Sequence, residues 1–175
     1  MAEYRTREQV EQYLARIFNP DRRFHLYPFE TGWLVQPILT PEQTTAGQAV
    51  GLTNLVIDSE TGVVTEYPSW SSTMIADDHR EAKQTGRPPR GRQVYPPQAR
   101  LSIQRTREDS ETIDYDVRIR SQTEPPGENT EYRLTITKST LTCQPTAHMA
   151  ANVVSWAEMH SSQDGTWPDE GTWEE

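Results

Sequence analysis

Residues 32–39, GWLVQPIL, and residues 54–68, NLVIDSETGVVTEYP, decide the fold of this chain. The first is a strand led by Trp33. In the second, Asn54–Ile57 and Val63–Tyr67 are β-branched and aromatic runs, and Asp58-Ser-Glu-Thr-Gly62 between them places glycine where a hairpin loop requires positive φ. A small antiparallel sheet follows from these residues. Pro68-Ser-Trp70 then turns the chain without opening a catalytic motif.

Upstream, Thr6 to Gln9 has the capping-box form, and Val10, Tyr13, Leu14, Ile17 and Phe18 recur at helical spacing until Asn19-Pro20 stops the run. Phe24–Phe29 alternates weakly and contains Pro28, which predicts an edge strand; Pro37 places Trp33–Leu39 at an edge or a bulge as well. Thr40–Gly51 is polar, with glycine and alanine, and is expected as a long loop or flap. Beyond Trp70, Ser72 or Thr73 is expected to cap a polar helix reaching about Gln84.

Residues 85–97, TGRPPRGRQVYPP, suit neither a helix nor a central strand, so 85–98 is expected as an Arg/Pro-rich linker or a strap. The sets Leu101/Ile103, Ile113/Tyr115/Val117/Ile119 and Tyr132/Leu134/Ile136 alternate with polar residues, as half-buried antiparallel strands do. Leu141–Cys143 adds a last strand. Pro145-Thr146 is expected to open a helix with Met149, Val153, Trp156 and His160 on one face, beside Ala150, Val154 and Ala157. The expected fold is α+β: an N-terminal helix with a small antiparallel sheet over 1–84, then an antiparallel β-meander closed by a C-terminal helix over 99–160.

In the last fifteen residues Asp164-Gly-Thr-Trp167 recurs as Glu170-Gly-Thr-Trp173. With few aliphatics to offset ordering entropy, 161–175 is expected to be dispensable for folding: disordered, or with its Trp rings tucked onto the body, or a docking peptide.

Charge is distributed unevenly: net −5 over residues 1–86, +5 over 87–105, −4 over 106–160 and −5 over 161–175. A surface this acidic repels phosphates and attracts cationic proteins. The arginines of 87–105 with Tyr95 are read as self-complementary packing rather than a nucleic-acid contact. Neither a signal-peptide run nor a membrane-length apolar segment occurs, and Cys143 is the sole cysteine. The expectation is a cytoplasmic, soluble protein without disulfides or membrane association.

No set of acids, bases or ligands stands at a spacing that a reaction demands. Cys143, ahead of an expected helix N-terminus that carries His148, comes nearest to a nucleophile with a base, yet no oxyanion element accompanies it. Asp77-Asp78-His79 with Glu81 combines carboxylates and imidazole, but neighbours on a helix point about 100° apart, so a solvated helix face is expected instead of a metal site. His25 and His160 stand alone. The P-loop, dinucleotide, HEXXH and G-x-S-x-G motifs are absent.

The order of a helix, a Gly-Trp strand and a hairpin carrying VIDSETGVVTEYPS resembles the YrhB/immunity-protein-35 type of small bacterial domain over about residues 5–80. That resemblance implies a non-catalytic protein that protects the producing cell by binding a cognate toxin, with no catalytic residues to carry over; because the sequence offers no ligand set, no cofactor or metal is expected. The expected partner is a basic toxin, with Trp33, Trp70, Asp77, Asp78, Trp167 and Trp173 as contacts. A chaperone or adaptor for a secreted client, and an enzyme or accessory using a pocket near Cys143 and His148, are the competing expectations.

Overall fold

The computed structural model describes residues 4–45 and 53–175. They form two compact units, Met1–Pro96 and Pro97–Glu175. The first runs α1 (Arg7–Ile17), β1 (Arg23–Phe29), β2 (Gly32–Ile38), α2 (Pro41–Thr45), β3 (Asn54–Asp58), β4 (Val64–Tyr67), α3 (Ser72–Thr85) and β5 (Arg92–Tyr95). Its strands make one antiparallel sheet in the order β1-β2-β3-β4-β5. The expected capping box starts α1: Thr6 Oγ1 accepts from Gln9 N at 3.3 Å, and Gln9 Oε1 accepts from Thr6 N at 3.0 Å.

Both faces of this sheet are covered, which is why β2 and β3 read as nearly continuous apolar runs. Val10, Tyr13 and Leu14 of α1 pack with Leu26, Trp33, Val35, Leu55, Ile57 and Val64. On the opposite face Ile75 of α3 packs with Leu34, Val56 and Tyr67. Pro37 is accommodated because β3 pairs with β2 only over Gly32–Val35, leaving β1 alone beside the proline, where its missing N–H costs no ladder bond. Of the expected 40–51 loop, Pro41–Thr45 is a short helix, and 46–51 lies outside the described residues.

Part of the 85–98 stretch, expected as a linker or a strap, is a strand. Its Arg92–Tyr95 segment is the edge strand β5, paired with β4 through a register shift at Val64/Thr65, and the unit ends after it, at Pro96. An edge position tolerates the flanking prolines, because only one side of the strand needs donors.

The second unit contains β6 (Ala99–Glu108), β7 (Thr112–Ser121), β8 (Thr130–Thr137), β9 (Thr142–Gln144), α4 (Ala150–Asp164) and β10 (Glu170–Glu174). Its antiparallel sheet has the order β10-β6-β7-β8-β9. The alternating apolar residues of β6, β7 and β8 form one core with Ala150, Val153, Val154 and Ala157 of α4. The helix starts five residues later than expected, because Met149 adopts a left-handed φ of 59° and interrupts the run from Pro145. Trp156 and His160 stack on each other at 3.8 Å on the flank of the helix instead of facing the core centre with Val153.

The tail tucks its Trp rings onto the body, one of the forms expected, and adds a strand that was not expected. Glu170–Glu174 pairs with Arg100–Gln104 of β6, and Glu175 exchanges backbone hydrogen bonds with Ala99 at 2.9 Å in each direction. Trp173 stacks on Trp156 with centroids 4.6 Å apart and planes 3° from parallel. Gly171 permits this, since a Cβ there would lie 2.1 Å from the Trp156 ring. Trp167 packs on the same core, and the Tyr115 hydroxyl donates to Pro168 O at 2.9 Å. The segment is ordered by an edge ladder and two indoles, neither of which requires an aliphatic period.

Trp173→Ala is expected to cost about 2 kcal/mol. Deleting 165–175 is expected to lower the melting temperature of the second unit by roughly 10 °C. Calorimetry of the full chain reads both; a transition that stays in place would show that β10 stabilises nothing.

Candidate functional site

In an antiparallel meander alternate turns fall at the same end of the sheet, so the β1–β2 turn and the β3–β4 loop meet. Ser59 joins them, its N and Oγ donating to Thr31 O at 3.2 and 3.1 Å. Asp58 shapes the loop by accepting from Glu60 N and Thr61 N at 2.9 Å each. Gly62 closes it at φ +74°, beneath the Tyr4 ring. Tyr4 N donates to Ser59 O, and the Trp33 indole donates to Tyr4 O, both at 2.8 Å.

These contacts surround a depression of about 350 Å³ lined by Tyr4, Pro28, Phe29 and Trp33, with Glu30, Glu60 and Arg5 among the polar lining. Helix α3 holds the two carboxylates. Arg80 donates from Nε to Glu30 at 3.0 Å and from a terminal nitrogen to Asp77 at 2.9 Å. Lys83 Nζ lies 2.8 Å from both Glu60 and Asp58. Glu30 and Glu60 nevertheless remain 69% and 70% exposed, so both carboxylates reach solvent beside their cations.

The Asp77–His79 stretch is not a solvated face. Ile75, Asp78, His79 and Ala82 are all buried, following the helical period toward the sheet. His79 Nδ1 lies 2.8 Å from Thr31 Oγ1 and Nε2 lies 3.5 Å from Asp58 Oδ2, with Phe29 edge-on to the ring. Burial holds the imidazole below its ordinary value; Asp58 pulls the other way and Lys83 adds to the lowering. Asp78 accepts from the Tyr67 hydroxyl at 3.0 Å, Arg90 N at 2.9 Å and Arg87 at 2.7 Å. Burial alone would raise its carboxyl, but the Arg90 amide, Arg87 and Tyr67 outweigh that and keep it below the usual carboxylate range.

The structure thus separates the expected contacts. Trp33 lines the depression while being nearly buried, Trp70 is half-buried against Tyr67, and Asp77 is exposed beside Arg80. Asp78 is consumed by internal partners and is only 5% exposed. Trp167 and Trp173 are partly buried against the core of the second unit. Glu30, Glu60, Arg80 and Lys83 escaped sequence reading; the turn signals at Glu30-Thr31 and Asp58–Gly62 were present, but nothing local shows that the two turns converge.

Both premises of the Cys143/His148 site fail. Cys143 sits on β9 opposite Ile136, half-buried against the core, and His148 is exposed, ahead of α4 rather than on it. Among the described residues no three His, Cys, Asp or Glu side chains are grouped to share a metal ion, and no helix is long and apolar enough to cross a membrane.

Residues 4–87 match the family model of the immunity protein 35-like domain. No curated protein and no solved structure matches the chain. The matched stretch extends from just before α1 to just past the end of α3, so it holds the depression, its rim and most of the Asp78 network. The strand β5, which completes the first sheet, and the whole second unit lie beyond it.

Asp78→Ala removes the acceptor of the buried Tyr67 hydroxyl and of the Arg90 amide and is expected to cost about 2–4 kcal/mol, against about 0.5 kcal/mol or less for Asp77→Ala. For pH, the unfolded chain protonates His79 near about 6.5, while the folded state resists it, so stability falls as pH drops below that value. The lowered carboxyls of Asp58 and Asp78 add a second loss, as pH falls from the unfolded carboxylate range through their folded values. Urea midpoints across pH 3–8 check this. His79→Gln is expected to flatten the upper segment and leave the lower one.

Proposed function

We propose that the protein neutralises a cognate bacterial toxin by stoichiometric binding in the cytoplasm of the producing cell, without catalysis. The acidic, aromatic-floored end of the immunity protein 35-like domain is the contact surface. The observation that carries this reading is the conjunction of the family match with an exposed Glu30/Glu60 rim whose side chains are already positioned by Arg80 and Lys83. Prepositioned carboxylates meet a cationic partner with little further loss of side-chain freedom. Asp77 continues the rim along α3, and Met74, 53% exposed on the same helix, offers an apolar contact. The partner of this surface is a basic toxin face, for which the net charge of −9 supplies long-range attraction.

The test is co-expression with the product of the adjacent gene, scoring growth rescue and co-purification. Toxicity that persists with no complex formed would falsify the toxin reading. Given a complex, Glu30→Lys with Glu60→Lys is expected to slow association by about tenfold or more and to weaken its salt dependence, while Trp33→Ala acts on folding instead. Stopped-flow association at several salt concentrations distinguishes these effects.

A further inference from the structure

The second unit, outside the family match, leaves one face of its sheet uncovered by its own helix. Because Ile113, Tyr115, Val117 and Ile119 face α4, Asp114, Asp116, Arg118 and Arg120 stand on the opposite face. Their order along β7 is two anions followed by two cations, with the reversal at Val117. On β8 the reversal from Glu131 to Arg133 falls at Tyr132, the cross-strand partner of Val117. The same cross-strand row continues through Ile103 of β6 to Gly171 of β10. The charge pattern therefore inverts across a single line perpendicular to the strands.

A pattern that inverts across a line is complementary to itself under a two-fold rotation about that line. We infer that this face pairs with the same face of a second copy of the chain. With the axis parallel to the Gly171–Tyr132 row, β7 lies over β7 of the other copy in reversed direction. Arg118 then meets Asp116, Arg120 meets Asp114 and Glu131 meets Arg133, each pair occurring twice, as an isologous interface requires. Near the centre Ser102 faces Gln104 and Thr172 faces Glu170. These residues, with Asp116 and Arg118, border a depression of about 430 Å³ on the same face, which provides room for the interdigitation. Arg100 and Arg107, the outermost cations of β6, face each other at the rim, where solvent screens them.

These side chains pair within the chain and still reach solvent. Arg120 is 2.5 Å from Glu131, and Arg133 is 2.9 Å from Asp116, yet all four remain between 44% and 63% exposed. Reversed alignment of the two sheets agrees with the near-aligned geometry of packed sheets. Five strands spaced about 4.8 Å, with about 20 Å of usable length, give a face smaller than the roughly 800 Å² per partner of a standard interface, so the pairing is reversible and salt-sensitive.

The experiment is sedimentation velocity on the full chain from low to several hundred micromolar, in low and high salt. The wild type is expected to self-associate at low salt and to dissociate at high salt. Arg118→Glu and Asp116→Arg each place like charges opposite one another and are each expected to be monomeric. Mixed together, the two variants restore both opposite-charge pairs and are expected to form a 1:1 heterodimer, and the double variant is expected to recover self-association. Because only pairing rescues in the mixture, recovery separates interface loss from misfolding. A wild type that stays monomeric throughout, association indifferent to both reversals, or a mixture that stays monomeric would overturn the inference.

Discussion

A single buried carboxylate organises the first unit. Asp78 ties the helix that carries it to Tyr67 on β4 and to Arg87 and Arg90 in the segment leading to β5. Leaving such a charge unpaired costs several kcal/mol, so the helix, strand and strap assemble together or not at all. With α3 seated in that register, His79 reaches Thr31, while Arg80 and Lys83 reach Glu30 and Glu60. The shape of the surface rim is thus a consequence of an interior ion pair two to five residues away on the same helix.

The two units solve the burial of a sheet differently, and the difference decides where each offers a surface. The first sheet is covered by α1 on one face and α3 on the other. Its accessible features are therefore turns and helix flanks, where charged side chains surround a small aromatic floor. The second sheet has α4 on one face only, with an uninterrupted apolar core beneath it. Its outward strand positions alternate into solvent and carry the ladder of opposite charges across β7 and β8. Sheet edges are managed too: β10, with Trp173, caps β6, which otherwise would present an unpaired strand.

The repeated tetrapeptide near the C-terminus shows how context assigns a role. In Asp164-Gly-Thr-Trp167, Gly165 takes φ +74° and terminates α4. In Glu170-Gly-Thr-Trp173, Gly171 lies in an extended strand and is needed because the Trp156 ring rests against it. One glycine supplies a backbone conformation and the other supplies the absence of a side chain.

Local chemistry in the sequence determined most of the elements. The capping box of α1, the Asp58–Gly62 hairpin and the alternating strands from Leu101 to Ile136 depend on near neighbours and on side-chain period, and they stand where the pattern puts them. The resemblance of about 5–80 to an immunity domain had the same basis and is matched over 4–87. Only the tertiary structure decided which polar residues are interior. Asp77 and Asp78 are adjacent and chemically identical, yet one is solvated and the other buried, because a rotation of about 100° sends the second toward Tyr67 and Arg87. The convergence of Glu30 with Glu60 and the pairing of 170–174 with β6 likewise join residues far apart in the chain. Such contacts depend on strand order, which no window of neighbouring residues contains.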